Sequence, residues 1–371
     1  MRVLVVRNAQ YDNNASMQRV VTALSEKGHK VSILSRNRNC NKNKKLSVKN
    51  GEIIVNNFEI GIKSRYGKNI FGIFNIFKYN ISLFKYYFNN RNEIDTIHSY
   101  DLDTAFITKI FTRIFNKYLV YHIADFYADS RGDKYKILKC LVKKIEFNVI
   151  NKADVTIICT EQRKEQILGS KPKVLKVIHN TPIFEDKCST YVVNHPIRLA
   201  YVGGLAKSRF IPELIDVVKE ISEVSLKLAG TGRLNEYVKV TTENIDNITY
   251  LGKVDYEEAR KVLRESDLMI AMYDPEVRNH IFAAPNKIYE SMTFNKPIIV
   301  ARNTGLSNLV KKYDFGWLID YSSEKFKSIL EEIIKNPIIL EKKSINSKMA
   351  YEEYNWDKTR KNIQKIYDDL R

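Results

Sequence analysis

The sequence has few cysteines and no long uninterrupted hydrophobic run. The two absences argue against a membrane-spanning protein and against a disulfide-rich or zinc-binding protein. No stretch approaches the about 18 consecutive apolar residues that a membrane-spanning helix needs, so no segment is expected to cross a membrane. The four cysteines, Cys40, Cys140, Cys159 and Cys188, form no CxxC pair, which argues against a zinc site or a disulfide framework. A reducing cytoplasm fits this usage best, and the short apolar run at the N-terminus lacks the features of a secretory signal.

Acidic residues are outnumbered by basic ones, because the chain has 43 Asp and Glu and 61 Lys and Arg, which give a formal net charge of +18. Such a charge attracts nucleic acid, anionic membranes and phosphorylated ligands, although a generally lysine-rich proteome would produce it as well. No arginine-rich run or nucleic-acid-binding motif occurs, so we expect no nucleic-acid partner. With 371 residues, 44% of them hydrophobic, the chain is long enough for about two domains with large cores.

Short apolar segments alternate with helical segments along the chain, which is typical of parallel sheets covered by helices on both faces. The first unit of this kind has a strand at 3–6, a helix at 15–27 and a strand at 30–34, before a polar loop at 36–50. Further units follow until a predicted linker at 184–196, where the periodicity stops.

The same rhythm restarts after that linker and predicts a second α/β domain of the doubly wound type. We therefore expect one Rossmann-like domain over 1–185 and another over 190–356. Two such domains leave a cleft between them, and doubly wound sheets bind ligands at the carboxyl ends of their strands. The functional residues are expected in the loops at those ends.

Glycine-rich turns follow two of the predicted strands in the second domain. Glycine lets backbone N–H groups approach an anion closely, and the helix after the first turn adds its positive end. Lys207 and Arg209 come directly after the first turn, where they could pair with a diphosphate. An ordinary strand-to-helix turn would carry the same glycines, and a lone GxG is weak by itself. The glycines are Gly203, Gly204, Gly230 and Gly232.

The stretch 284–292, APNKIYESM, contains the strongest local signal. Pro285 and Asn286 suit a helix start, and Lys287 and Glu290 lie three apart on one helical face. A lysine at a helix N-terminus can meet phosphate oxygens, and a carboxylate one turn later can accept hydrogen bonds from ribose hydroxyls. An exposed salt bridge of about 0.2–0.5 kcal/mol is the simpler alternative, but it does not explain the Pro-Asn start or the apolar flanks.

These segments resemble family-4-like GT-B glycosyltransferases. The run PNKIYESMTFNKPIIV is similar to the family's donor-binding segment, in which a Pro-x-Lys-hydrophobic-x-Glu helix leads to a Lys-Pro-Val/Ile strand. The order YVGGL, LAGTG, YLGKV and ESDLMIAMY is similar too, as is NWDKTR near the end. The resemblance covers essentially the whole chain and is strongest over 200–317. It implies a GT-B architecture, two doubly wound Rossmann-like domains facing a central cleft, with no essential metal and no cofactor besides the nucleotide-sugar co-substrate.

The resemblance also implies roles for single residues. Glu290 would hold the donor ribose, and Arg209 and Lys287 would bind the diphosphate. A C-terminal helix, 357–371, would pack back on the first domain. The chain departs from the family at Arg209, where a lysine is usual and the charge is kept without full equivalence. It departs again at Phe282, where the family often has a second glutamate.

Two strand ends of the first domain place polar side chains on the expected cleft side. At the first, the family's His and Asp correspond to His98 and Asp101. At the second, the family's His is replaced by Ala124, and Asp125 follows it. His122 lies on the same strand face as Ala124, where it either reaches the same space or is an ordinary core histidine. Asp101, His122 and Asp125 are our catalytic candidates on the acceptor side.

Asp101-Leu102-Asp103 matches the DxD metal motif of another glycosyltransferase architecture only superficially. The residues before it are polar and the next segment is predicted to be helical, so either aspartate could cap that helix. We therefore predict no metal site.

The segment 70–88 is rich in Phe, Ile and Tyr, with Lys78 and Lys85 between them. It predicts either an amphipathic helix that meets anionic lipid or a core helix of the first domain, because apolar residues cover most of its circumference. A peripheral position on the inner face of the cell membrane would suit a lipid-linked acceptor.

The resemblance implies a cytoplasmic, hexosyltransferase-type enzyme of polysaccharide or cell-envelope synthesis. It would move a sugar from a nucleotide-diphosphate sugar to a glycan or lipid-linked acceptor, with retention of anomeric configuration and without a metal. Two alternatives remain. One is a nucleotide-sugar epimerase of the same architecture, which acts without an acceptor. The other is a non-catalytic scaffold or glycan-binding relative, suggested by Ala124 and Phe282.

Overall fold

The structure of the chain is a computed structural model that describes residues 1–12, 14–50, 53–64, 70–129, 136–183 and 191–370. The part 184–190 of the predicted linker, which includes Cys188, lies outside these residues. The chain divides into two compact units. Unit 1 comprises Met1–His179 with Asp357–Arg371, and unit 2 comprises Asn180–Trp356.

Unit 1 is built on one eight-stranded sheet. Its strands are β1 (Arg2–Val6), β2 (Lys30–Asn37), β3 (Lys44–Asn50), β4 (Ile53–Gly61), β5 (Thr96–Tyr100), β6 (Tyr118–Ile123), β7 (Val155–Ile158) and β8 (Leu175–Val177). Its first five helices are α1 (Ala15–Glu26), α2 (Ile70–Asn89), α3 (Asp101–Ile114), α4 (Lys136–Lys152) and α5 (Arg163–Gln166). The strand order is β3-β4-β2-β1-β5-β6-β7-β8, with parallel neighbours except β3, which pairs antiparallel with β4.

The first βαβ unit shows how the sequence specifies these elements. Four of the five residues of β1 are buried, because helices cover both faces of a parallel sheet. The Asn14 side chain accepts a hydrogen bond from the backbone N–H of Met17 and so caps the start of α1. The chain turns back at Gly28, whose φ of +84° suits a residue without a side chain.

The prediction of a polar loop at 36–50 is wrong, because this region contributes to a β-hairpin. Strand β2 continues to Asn37, and β3 and β4 pair through seven residue pairs from Lys44 with Glu59 to Asn50 with Ile53. Strand β3 is rich in lysine and largely exposed, as is usual for a strand at a sheet edge. Its only apolar residues, Leu46 and Val48, are too few to form a hydrophobic pattern that would reveal the strand.

Unit 2 contains a six-stranded sheet whose neighbouring strands are parallel, in the order β11-β10-β9-β12-β13-β14. The strands are β9 (Ile197–Val202), β10 (Val224–Ala229), β11 (Ile248–Tyr250), β12 (Leu268–Ala271), β13 (Ile298–Ala301) and β14 (Gly316–Ile319). The helices are α6 (Ile211–Val218), α7 (Asn235–Thr242), α8 (Tyr256–Glu265), α9 (Arg278–Ile281), α10 (Asn286–Thr293), α11 (Ser307–Tyr313), α12 (Ser323–Lys335) and α13 (Ile338–Tyr354).

The longest helix of unit 2, α13, was not predicted from the sequence. It packs on α10 through small polar side chains, and the Ser347 hydroxyl donates a hydrogen bond of 3.1 Å to the carbonyl oxygen of Ser291. The Ser344 hydroxyl likewise donates to the carbonyl oxygen of Asn295, at 2.7 Å. Because serines rather than a regular apolar stripe form this contact, the usual amphipathic pattern is missing.

The last helix, α14 (Trp356–Asp368), packs within unit 1. The side-chain amide of Gln364 donates a hydrogen bond of 2.8 Å to the carbonyl oxygen of Ala23 in α1. Arg360 forms an ion pair of 3.1 Å with Glu26. Among the described residues, no helix is both long and apolar enough to cross a membrane. The predicted α/β class, with two largely parallel sheets, is confirmed.

Candidate functional site

Two glycine-rich turns touch each other at the carboxyl ends of β9 and β10. The backbone N–H of Gly203 donates to the carbonyl oxygen of Ala229 at 2.8 Å. Gly203 and Gly230 have φ values of +151° and +134°, a region that side chains rarely tolerate. A side chain at Gly230 would also collide with the carbonyl oxygen of Gly203. The glycines are therefore required by close backbone approach as well as by φ.

Lys287 fills the space in front of this pair of turns. It lies in the first turn of α10, its side chain is buried, and its ammonium group donates a hydrogen bond to the carbonyl oxygen of Val202. The ammonium nitrogen lies 4.8 Å from the ring centroid of Tyr201. A side chain at Gly203 would collide with it. Because only 8% of Lys287 is exposed, the alternative of an exposed salt bridge with Glu290 is wrong.

Burial lowers the pKa of Lys287 to about 8, while Glu290 opposes this shift and Arg209 adds to it. The same Glu290 and Arg209 act on the pKa of Tyr273, which burial raises. Arg209, Lys287 and Glu290 are therefore close enough to sense one another's charge. Among the described residues the ammonium group has one hydrogen-bond partner, the carbonyl oxygen of Val202. A buried cation with so few hydrogen bonds is poorly compensated, so this position favours an anionic ligand.

Arg209 ends a short 3-10 turn, Lys207–Arg209, that follows the first glycine pair. Its guanidinium carbon lies 3.6 Å from the ring centroid of Tyr273, which is a stacked arrangement typical of arginine. Its Nη1 is buried and has no hydrogen-bond partner among the described residues. A buried donor without a partner is costly, and an oxygen of a bound ligand would satisfy it.

The remaining predicted donor-side residues surround this group at greater exposure. Gly204 and Lys207 are exposed, and Asn286 is half-buried at the start of α10. Gly232 forms a β-bridge with Leu205. The backbone N–H of Leu205 donates a hydrogen bond of 3.1 Å to the carbonyl oxygen of Thr231. The structure thus brings Gly203, Gly230 and Lys287 into contact and places Arg209 and Glu290 within electrostatic range of Lys287.

Sequence reasoning missed the aromatic residues beneath the cations, Tyr201 and Tyr273, and it missed Gly305. Each tyrosine lies at or just beyond a strand end. An aromatic residue after an apolar run is a sequence signal that could have identified both. A side chain at Gly305 would collide with the carbonyl oxygen of Ala283. Gly305 therefore lets its loop close on the segment before α10. Phe282, at the family's glutamate position, is 8% exposed.

In unit 1, Asp101 holds two loops together. It is the first residue of α3, with φ of +54°, and its Oδ1 accepts hydrogen bonds of 3.0 Å from the N–H groups of Ala124 and Asp125. Its Oδ2 lies 3.2 Å from Nη2 of Arg7. Burial raises the pKa of Asp101, and Arg7 opposes that shift. Asp101 therefore organises the loop after β6, and the expectation that it caps α3 is wrong.

Asp103 turns to a different partner, because the side-chain amide of Asn8 donates a hydrogen bond of 2.5 Å to its Oδ2. Burial and then the charge of Asp101 raise the pKa of Asp103 to about 6. The two aspartates thus point to separate partners. Among the described residues, no group of three or more His, Cys, Asp or Glu side chains is arranged to hold a metal ion.

His122 lies in the core of unit 1, where its Nδ1 is 3.1 Å from Nε2 of His98. His98 Nδ1 in turn is 2.7 Å from the hydroxyl of Tyr367 in α14. The Tyr100 ring stacks on His122 at 4.4 Å. Burial lowers the pKa of both histidines, that of His98 to about 3. Both imidazoles are therefore neutral near pH 7.

Asp125 is the accessible carboxylate of the predicted acceptor-side set. Its side chain is 67% exposed, and Oδ1 lies 3.6 Å from Nη2 of Arg163. Arg163 is buried and donates from the same Nη2 to the carbonyl oxygen of Ala124, at 2.6 Å. The backbone of this loop is fixed by Asp101 and Arg163, so the Asp125 carboxylate is presented to solvent from a rigid support.

Part of unit 2 matches a known family model, and a longer part of the chain is similar to a glycosyltransferase. Residues 196–336 match the family model described as glycosyl transferases group 1. Over 241 residues the chain is 26% identical to the uncharacterized glycosyltransferase MJ1069 of Methanocaldococcus jannaschii, and this match spans 60% of each protein.

Solved structures with a similar fold extend over the whole chain. Sucrose-phosphate synthase from Thermosynechococcus elongatus has a TM-score of 0.78 at 14% identity, covering 99% of this chain and 98% of that one. The Anabaena protein HepE, solved with UDP and glucose, has a TM-score of 0.67 at 16% identity, covering 100% and 99%. A UDP-forming trehalose-phosphate synthase from Burkholderia vietnamiensis has 0.72 at 11%, covering 100% of both chains. The chain therefore carries a glycosyl transferases group 1 domain at residues 196–336 and has the GT-B fold of these structures.

Proposed function

We propose that this chain transfers a sugar from a nucleotide-diphosphate sugar to a hydroxyl group of a glycan or a lipid-linked acceptor. The observation that carries the proposal is the pair of cations at the glycine turns of unit 2, of which Lys287 is buried and Arg209 is half-buried. Lys287 has a pKa lowered to about 8 by burial, and Arg209 has a buried Nη1 that lacks a partner among the described residues. Both groups favour a ligand with several anionic oxygens.

The donor diphosphate would take its hydrogen bonds from Arg209, Lys287 and the backbone N–H groups of the glycine turns. Lys207 is close in sequence and would meet the same charge from the exposed side, while Asn286 stands at the positive end of α10. Glu290, one helical turn after Lys287, would accept hydrogen bonds from the ribose hydroxyls. The complete set is Gly203, Gly204, Lys207, Arg209, Gly230, Gly232, Asn286, Lys287 and Glu290.

The transfer itself breaks the bond between C1 of the sugar and the diphosphate oxygen, and the electron pair leaves with the nucleoside diphosphate. A new bond forms between C1 and the acceptor oxygen on the same face, so the anomeric configuration is retained. The acceptor proton passes to the departing phosphate oxygen. Two fixed cations would stabilise the charge that develops on the leaving group, which allows the step to proceed without a metal.

On the acceptor side, Asp125 would hydrogen-bond the hydroxyl groups of the incoming sugar, because its carboxylate is exposed on a fixed loop. Asp101 would keep that loop in place through the two N–H groups it binds. His122 would support Tyr100 from behind, since its ring is buried against it.

A peripheral position at an anionic membrane, on the cytoplasmic side, is part of the proposal. Helix α2 buries Tyr79, Leu83 and Tyr87 in the core of unit 1. One side of the helix is therefore part of the core, as the core-helix alternative predicted. Its opposite side exposes a stripe of apolar residues with two lysines between them, a composition that suits an interfacial helix. The stripe consists of Phe74, Phe77, Lys78, Ile81, Lys85 and Phe88.

The test is release of nucleoside diphosphate from a panel of UDP-, GDP- and dTDP-sugars, each with and without mono- and oligosaccharide and polyprenyl-linked acceptors. We expect release that depends on an acceptor and a glycosylated product with unchanged anomeric configuration. Conversion of one nucleotide sugar to another without an acceptor would identify an epimerase instead. Donor binding with no turnover under any condition would identify a non-catalytic relative.

A further inference from the structure

A separate groove runs along the lateral edge of the unit 1 sheet. It has a cavity volume of about 620 Å³ and lies between the β3–β4 hairpin and the C-terminal half of α2. None of the candidate donor or acceptor residues lines it. The groove exists because α2 packs against β4, where the rings of Phe58 and Tyr86 lie 4.9 Å apart, while β3 extends the sheet beyond the helix.

The groove combines side chains that match the surface of a carbohydrate. Asn56 and Asn89 are exposed and bring amide groups to its two walls. An amide donates and accepts at neighbouring atoms, which suits vicinal hydroxyl groups. The tilted pair of Phe58 and Tyr86 adds an apolar surface for the C–H face of a sugar ring.

The charged side chains that line the groove, among the described residues, are all positive. Lys45 on β3 and Lys85 on α2 line opposite walls, and the described residues that line the groove include no aspartate or glutamate. Cations on both sides with no competing carboxylate favour a ligand that carries anionic groups along its length. The cavity volume also falls in the size range of ligand-binding clefts, about 300–1,000 Å³.

We propose that this groove binds an acidic glycan, that is, a chain of sugars bearing carboxylate or phosphate groups. It would hold a part of the polymer away from the reacting end and so favour long acidic acceptors over short ones. Its use in catalysis rests on the proposed transferase function, but binding to the groove requires neither donor nor turnover. A glycan attached to a lipid carrier and a glycan free in solution would present the same anionic groups to the groove.

The test uses two double variants with the same net charge. Lys45→Gln with Lys85→Gln removes both groove lysines, whereas Lys44→Gln with Lys78→Gln removes neighbours on the same strand and helix that do not line the groove. Binding of polygalacturonate, hyaluronan and glycerol-phosphate teichoic acid is measured by calorimetry without nucleotide sugar, with dextran as the neutral polymer. Thermal melting confirms that both variants are folded.

We expect at least one of the three polyanions to bind the parent protein more tightly than dextran. The groove variant should lose at least tenfold in affinity, and the control variant no more than twofold. Asn56→Ala with Asn89→Ala should weaken binding without a change of charge. Equal losses in both lysine variants would mean that dispersed charge alone attracts the polymer, and this result would overturn the inference. Failure of all three polyanions to bind the parent protein, or tighter groove-dependent binding of poly(U) RNA, would overturn it too.

The outcomes separate this inference from the transferase proposal. Groove-dependent glycan binding without any sugar transfer would refute the transferase function alone. Sugar transfer to a short acceptor with no groove-dependent binding would refute the glycan groove alone.

Discussion

The ammonium group of Lys287 donates a hydrogen bond to the carbonyl oxygen of Val202, the last residue of β9 before the Gly203-Gly204 turn. Burial lowers the pKa of this lysine to about 8, since one carbonyl replaces the water that a cation normally keeps. An ammonium group in this position is ready to change partner when a diphosphate arrives, and its protonation should be linked to ligand binding.

The first prediction concerns the pH dependence of donor binding. The diphosphate of a nucleotide sugar is a diester and does not titrate near pH 8, so Lys287 provides the relevant protonation change. Affinity should fall as the pH rises through about 8, because an increasing share of Lys287 is neutral before binding, by up to tenfold per pH unit (about 1.4 kcal/mol). Calorimetry between pH 6.5 and 8.5 in buffers of different ionisation enthalpy should detect proton uptake. Lys287→Met should remove both the uptake and the pH dependence, and a parent protein with flat affinity over this range would refute the linkage.

Glu290 gives a prediction that depends on the ligand as well as on the protein. Glu290→Gln keeps the shape of the side chain but removes the charge that strengthens its hydrogen bonds with the ribose hydroxyls. A hydrogen bond to a charged group contributes about 1.5–3 kcal/mol, so affinity for a ribonucleotide sugar should fall at least tenfold. Affinity for the 2′,3′-dideoxy analogue should be nearly the same in variant and parent. Equal losses for both ligands would mean that Glu290 does not contact the ribose.

The two adjacent glycines, Gly203 and Gly204, should respond differently to the same substitution. Gly203→Ala forces a side chain into a φ of +151° and against the Lys287 ammonium group, and such strain costs about 1–3 kcal/mol. A side chain at Gly204 would meet no described atom within 4 Å. Urea denaturation should therefore show a clear loss of stability for Gly203→Ala and little change for Gly204→Ala. The reverse order would contradict the packing of the turns.

Asp101 and Asp125 should separate into a structural and an acceptor-side role. Asp101→Asn disturbs the ion pair with Arg7 and the two N–H groups that the carboxylate binds, so both thermal stability and transfer should decrease. Asp125→Asn changes a side chain that is 67% exposed. It should leave the melting temperature within about 1–2 °C, the range of a neutral surface change, while raising the KM for the acceptor or lowering kcat. An unchanged acceptor KM and kcat in Asp125→Asn would remove Asp125 from the acceptor site.

Much of the fold could be predicted because buried parallel strands leave a clear apolar signal. Strands such as β1, β9 and β13 were recognised in this way, and Pro285 marked the start of α10. The β3–β4 hairpin and α13 escaped because edge lysines and buried serines carry no apolar period. They are held by strand pairing and by helix–helix hydrogen bonds that depend on distant parts of the chain.

The candidate donor residues were identified from local signals: glycines after strands and a lysine at a helix start. The residues around them, Tyr201, Tyr273 and Gly305, were not identified from the sequence. They acquire their role only when four separate strand ends come together. Likewise, nothing in the local sequence places Tyr367 against His98, 269 residues earlier. The roles proposed for Asp101, His122 and Asp125 remain predictions. Their positions now distinguish the exposed carboxylate of Asp125 from the partly buried Asp101 and the buried His122.

The most direct test of the central claim is thermal stabilisation by nucleotide sugars, measured for the parent protein and for two methionine variants. Lys287→Met removes the buried cation at the glycine turns, and Lys327→Met removes an exposed lysine that pairs with Glu220 at 2.8 Å. We predict that at least one nucleotide sugar raises the melting temperature of the parent and of Lys327→Met, and that the shift is clearly smaller in Lys287→Met. An equal shift in all three proteins, or none in the parent with any nucleotide sugar, would contradict the account.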